Sequence, residues 1–135
     1  MENEIGIEIP RDIFEEVLQV VFREENIPQG SFVNLLLTDD ETIKRMNKRF
    51  RGTDKLTDVL SFPTEIPGIT LLGDIVINVL QAERQKTGRN LKPELQKLFL
   101  HGLLHLLGYD HISANQKRIM EEKEKKFSKI LKLSQ

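Results

Sequence analysis

The spacing of hydrophobic positions changes several times along the chain, and each change marks an element. Ile5, Ile7 and Ile9 alternate with polar or small residues, which predicts a first strand with one buried face, stopped by Pro10. From Arg11 to Asn26 the apolar positions are 13, 14, 17, 18, 20, 21 and 22, a broad helical stripe, and Pro28 and Gly30 break it. Ser31 to Thr38 reads as a second strand, apolar on both faces toward its end. Thr38 or Asp39 caps a following helix, with Glu41 in its first turn. That helix reaches about Phe50 and is predicted to turn Ile43, Met46 and Phe50 inward.

The second half continues in shorter units. Gly52 to Lys55 is a loop, Thr57 to Pro63 a short strand closed by proline, and Thr64 to Thr70 another loop. Leu71 to Asn78 is a fourth strand, β-branched at its centre. A helix from Val79 to about Thr87 ends at Gly88. Lys92-Pro93 opens the next, with a core stripe of Leu95, Leu98, Phe99 and Leu103 down to Gly108. Ser113 caps a last helix to about Leu131, whose apolar positions are Ile119, Met120, Phe127, Ile130 and Leu131. The order β-α-β-α-β-β-α-α-α predicts an α/β fold of the α+β type. Residues 1–135 form one domain, with a mixed sheet of about four strands packed with about five helices. Strands 57–63 and 71–78 are expected to pair antiparallel.

Composition narrows this further. A chain of 135 residues, 39% hydrophobic and 30% charged, can bury one core without covalent staples. It has no cysteine, which excludes disulfides, thiolate metal sites and a cysteine nucleophile. No apolar run approaches the roughly 18 residues of a membrane span, and the acidic start lacks the order of a signal peptide. The expected location is the cytoplasm. The net charge of −1 conceals an asymmetry. Residues 1–26 carry eight carboxylates against Arg11 and Arg23, whereas residues 43–132 carry eighteen lysines and arginines against ten carboxylates. Such a basic body admits a polyanionic partner such as RNA, although charged helix faces also serve simply as solvated surface.

All three histidines fall in His101-Gly-Leu-Leu-His105-Leu-Leu-Gly108-Tyr-Asp-His111. Positions 101 and 105 share a helix face, one turn apart. Gly108 suits a helix end that needs positive φ, and a turn there can swing His111 back toward the pair. Buried among leucines without partners, each ring would cost about 1–3 kcal/mol; one shared cation satisfies all three. Zinc suits such a site best, with nickel or copper acceptable, and three nitrogens leave a fourth position open. The spacing H-x-x-x-H-x-x-G-x-x-H is metzincin-like, but the glutamate that serves those peptidases as general base is Gly102 here. The missing side chain leaves space for a closely packed element or for substrate. Met120 reads as core rather than as a methionine turn, because its surroundings are helical.

Four blocks, in this order, carry a resemblance: Asn47-Lys-Arg-Phe-Arg51, Thr57-Asp-Val-Leu-Ser-Phe-Pro63, Leu72-Gly-Asp-Ile75 and the histidine stretch. Together they resemble the YbeY family of bacterial rRNA-maturation endoribonucleases over essentially the whole chain. The resemblance implies a zinc-dependent, single-strand-directed endoribonuclease acting in 16S rRNA 3′-end maturation and ribosome quality control. It implies rRNA and the small ribosomal subunit as partners. It also implies one zinc ion per chain on His101, His105 and His111, and a functionally important arginine at Arg51. Arg51 belongs to a basic segment with Lys44, Arg45, Lys48, Arg49 and Lys55. Asp110 is a candidate to orient a histidine; Asp58 and Asp74 are candidates for backbone contacts. Two other readings are a metal-dependent peptidase-like hydrolase and a ribosome-associated binding factor with a structural zinc.

Overall fold

The computed structural model describes residues 1–64, 66 and 68–133. Glu65 and Pro67, in the expected loop 64–70, lie outside the described residues. The elements are β1 (Glu2–Asn3), α1 (Asp12–Glu24), β2 (Phe32–Thr38), α2 (Asp40–Arg51), β3 (Val59–Pro63), β4 (Leu71–Asn78), α3 (Val79–Gln85), α4 (Lys92–Leu106) and α5 (Ala114–Leu131). The sheet order is β1-β2-β4-β3. β1 and β4 run parallel to β2, and β3 is antiparallel to β4, pairing Leu60 with Val76 and Ser61 with Ile75. The expected four-stranded mixed sheet with five helices is therefore the fold, and the expected 57–63/71–78 pairing forms. Among the described residues no helix is long and apolar enough to cross a membrane.

The helix starts follow the capping residues. Asp39 accepts the Thr42 N–H at 3.0 Å and Ser113 accepts the Gln116 N–H at 3.1 Å. Fully buried Asn78 ends β4, caps α3 through Gln81, and donates to Asp40 at 2.7 Å and to the Thr57 carbonyl at 3.2 Å. One side chain thus ties the starts of α2 and α3 to the approach to β3.

Three expectations fail locally. The strand predicted over Ile5 to Ile9 does not form; pairing stops at Asn3, opposite Leu37, one residue from the end of β2. Beyond it the Asn3 side chain accepts the Ile5 N–H at 2.9 Å and donates to the Ile7 carbonyl at 2.8 Å. These local bonds curl the chain where the ladder has no further partner. Ile9 still reaches the core, while Ile7 is 50% exposed. Phe50, expected inward, is 59% exposed. Of its helix, Ile43 and Asn47 are buried, and in the last turn the Phe50 ring packs edge to face with Phe62, at 5.7 Å between centroids. Ile130 is likewise more exposed than its place in the stripe implied.

The main core lies between the sheet and α1, α4 and α5, and includes Val17, Val21, Leu37, Ile75, Ile77, Phe99, Leu103, Met120 and Phe127. Met120 is a core residue, as its helical setting implied. The opposite sheet face carries α2 over a small cluster of Ile43, Leu60 and Val76.

Candidate metal centre

α4 is the central helix, apolar nearly all round. From Leu95 to Leu106 only Lys97, His101 and His105 are not buried, and they stand four residues apart on one stripe. The two histidines therefore face the one side of α4 left open by packing. Gly102 lies between them against β4. A Cβ added there would stand 3.1 Å from Ile75 Cγ2, so the space is taken by the close approach of sheet to helix.

The helix ends by a turn that carries the third histidine. The Gly108 N–H donates to the His105 carbonyl at 3.1 Å, and the Tyr109 N–H reaches back to the Leu104 carbonyl at 3.0 Å. Gly108 has φ +101°, a conformation a side chain would strain. The chain doubles back, and the His111 ring sits 5.1 Å from His101 and 4.9 Å from His105 between centroids. One ligating atom from each of the three histidines lies within 4.8 Å of the others.

This turn is anchored from outside. Tyr109 Oη donates to Glu25 Oε1 at the end of α1, and Lys123 Nζ of α5 donates to Glu25 Oε2 at 2.9 Å. Burial pushes the Glu25 carboxyl upward, but the hydrogen bonds from Tyr109 and Lys123 outweigh it and hold the carboxyl below its ordinary range. The adjacent Glu124 places Oε1 3.1 Å from His101 Nδ1. Since a carboxylate only accepts, that nitrogen carries the proton and His101 Nε2 keeps its lone pair toward the cleft. Glu124 gave no signal in the sequence, where it sits in a run of Glu/Lys pairs that reads as solvated surface.

His101 Nε2 and His105 Nε2 face each other at 3.2 Å. Burial lowers the His105 pKa, and the neighbouring His101 and His111 lower it further against the opposing pull of Asp110 and the Tyr109 backbone. A His105 ring held neutral in this way can offer its lone pair to a cation. One nitrogen pair stands 3.2 Å apart and the three donor atoms lie within 4.8 Å of one another, a set that can hold one metal ion. Asp110 Oδ1 stands 3.9 Å from His105 Nδ1 and accepts the His111 backbone N–H at 2.7 Å.

His101 and His105 open on a cleft of roughly 370 Å³ that is also lined by Arg51, Asp58, Ser61 and Asp110. Arg51 donates to the Ser61 carbonyl, and its guanidinium carbon lies 5.3 Å from the Phe62 ring centre. The sequence places Arg51 fifty residues from His101; the fold puts both on one cleft. Asp58 lines it too, with Oδ2 accepting from Gln85 Nε2 at 3.2 Å, while its carbonyl accepts the Asn78 N–H. Asp74 is exposed and lines a groove on the α2 side instead.

Three clustered histidines, two of them lining an arginine-bearing cleft, form a group that can hold a metal ion on an α/β scaffold. The family model for Endoribonuclease YbeY matches residues 2–132. The chain belongs to the YbeY family. Its relatives include the Endoribonuclease YbeY of Nautilia profundicola, 50% identical over 111 residues, which cover 80% of this chain and 78% of that protein. That of Desulforamulus reducens is 38% identical over 135 residues, covering 92% of this chain and 88% of that protein. The solution structure of TM1509 from Thermotoga maritima aligns with a TM-score of 0.59 at 30% identity, over 90% of this chain and 83% of that one.

Proposed function

We propose that this protein is a zinc-dependent endoribonuclease directed at single-stranded RNA. We assign it to maturation of the 16S rRNA 3′ end and to ribosome quality control, with the small ribosomal subunit as partner in the cytoplasm. The observation that carries the reading is the cleft shared by His101, His105 and Arg51, in a chain whose relatives bear the name endoribonuclease. His101, His105 and His111 would hold one zinc ion, which supplies Lewis acidity toward a phosphate oxygen or a water at neutral pH.

The chain's own groups do the rest. Glu124 keeps the proton on His101 Nδ1 and fixes the ring plane. The Ser61 carbonyl and the Phe62 ring hold the Arg51 guanidinium, which keeps further N–H donors for a non-bridging phosphate oxygen. RNA brings its own 2′-hydroxyl as nucleophile, so the missing glutamate after His101 weighs less against cleavage of RNA than against a peptidase. The peptidase reading needs that glutamate, and a side chain at position 102 would run into Ile75. Exposed basic residues of α2 (Lys44, Arg45, Lys48 and Arg49) favour a phosphate backbone, which makes RNA affinity fall steeply with salt.

Arg51→Ala separates this reading from a binding factor with a structural zinc. We expect turnover of single-stranded RNA to drop roughly 100-fold or more, the scale on which one transition-state donor is lost, with RNA still bound. Undiminished turnover, or a loss confined to affinity, overturns the assignment.

A further inference from the structure

We infer that Phe50, backed by Phe62 and flanked by Arg49 and Arg51, is a stacking platform for an unpaired base of the RNA strand whose phosphate enters the cleft. The inference rests on the ribonuclease reading only for the identity of the strand. Phe50 and Phe62 meet edge to face at 5.7 Å and 68°. The Arg49 guanidinium carbon lies 5.3 Å from the Phe50 ring centre, and that of Arg51 lies 5.3 Å from Phe62. The result is an unbroken row, Arg49-Phe50-Phe62-Arg51, of two edge-to-face rings with a cation at each end. Most of the Phe50 ring faces solvent, leaving its surface available for one more planar group.

The row leads somewhere. Arg51 touches Phe62 on the α2 side and lines the histidine cleft on the other. It reaches the cleft over β3, the last strand in the sheet order. A strand of RNA crossing that edge can place one base on Phe50 while an adjacent phosphate meets Arg51. Beside the platform is a groove of roughly 580 Å³ between α2 and the sheet, lined by Met46, Phe50 and Phe62 together with Asn34, Asp74 and Glu2. These acceptors are wrong for a phosphate and right for the N–H groups of a base edge. Arg49 and Lys48, exposed on the same helix, supply positive charge for the backbone outside. A paired base is already stacked and has its Watson–Crick edge occupied, so the site takes single strands.

The test uses the zinc-loaded full chain, a short fluorescent single-stranded RNA and its duplex. Phe50→Ala should weaken single-strand binding about 5- to 100-fold, the range for one lost base–aromatic stack, and the loss should fall on KM. Phe50→Trp should restore it. The salt slope should stay unchanged, since no phosphate contact is removed. Removing bases by substituting abasic nucleotides should erase the difference between wild type and Phe50→Ala. Thermal unfolding monitors the fold, which an exposed ring supports little. Single-strand affinity equal to wild type in Phe50→Ala overturns the platform, whichever partner then covers the ring; so does a loss that Phe50→Trp fails to rescue. A wild type that binds in a Phe50-dependent way without cleaving keeps the platform and removes the nuclease reading. Cleavage indifferent to Phe50 does the reverse.

Discussion

The two faces of the sheet are built to different depths. On the side of α1, α4 and α5 the core runs from Ile9 to Leu131 and encloses α4 on nearly every side. On the side of α2 the buried cluster is Ile43, Leu60 and Val76, with Leu36, Met46 and Phe62 only partly covered. The deep face fixes geometry: His101 and His105 stand on a helix packed on nearly every side. The shallow face leaves aromatic, basic and acidic groups where a flexible polymer can reach them. Arg51 crosses the edge strand between the two, so the site depends on rigidity from one face and access from the other.

Truncation tests this contrast most severely. Leu103→Ala, at a fully buried α4 position, should cost about 2–5 kcal/mol of folding stability. The same truncation at half-covered Leu36 should cost about 1 kcal/mol. Urea unfolding of both variants reads the difference directly, and equal losses would remove the distinction between deep and shallow faces.

A smaller effect is expected where α5 supports the centre. Glu124→Ala should weaken zinc binding by roughly 10- to 100-fold with the unfolding midpoint of the metal-free protein little changed. Competition with a chromogenic chelator measures it. Unchanged zinc affinity would show that the 3.1 Å contact to His101 Nδ1 contributes nothing.

The smallest effect concerns the turn. The Glu25 carboxyl is held below its reference value of 4.5 by Tyr109 and Lys123. A depressed carboxyl stabilises the fold above its unfolded pKa, and that stability disappears as pH falls through the folded value. Glu25→Gln should therefore cost about 1–2 kcal/mol near neutrality. Wild type and variant should converge in acid, once pH has fallen through the lowered folded value. A constant gap across that range contradicts the linkage.

What the sequence revealed depended on how local the cause was. The histidine stretch was legible because every ingredient lies within eleven residues: the i, i+4 pair, the turn glycine and the returning His111. The caps at Asp39 and Ser113 were legible for the same reason. Where tertiary placement decides, reading failed. Ile5, Ile7 and Ile9 alternate as a strand does, but β2 ends before they can pair and Asn3 captures their backbone. Phe50 has the right helical phase for the interior, yet its ring, at the end of α2, packs on Phe62 and stays exposed. Glu124 is one glutamate among several on α5, and only the packing of α5 against α4 singles it out. Arg51 could be named from the motif, but its contact with the Ser61 carbonyl requires β3 at the sheet edge.

We propose that the three histidines and Arg51 form one metal-dependent centre for cutting RNA. The most direct measurement is cleavage of a defined 3′-extended 16S rRNA fragment by protein stripped of metal and then reloaded with zinc, with His105→Ala in parallel. We expect about one zinc per wild-type chain, the ratio three converging histidines allow. Cleavage should disappear on stripping and return on reloading, and His105→Ala should fold yet neither hold zinc nor cut. Equal cleavage by the stripped wild type, or by His105→Ala free of metal, would contradict it.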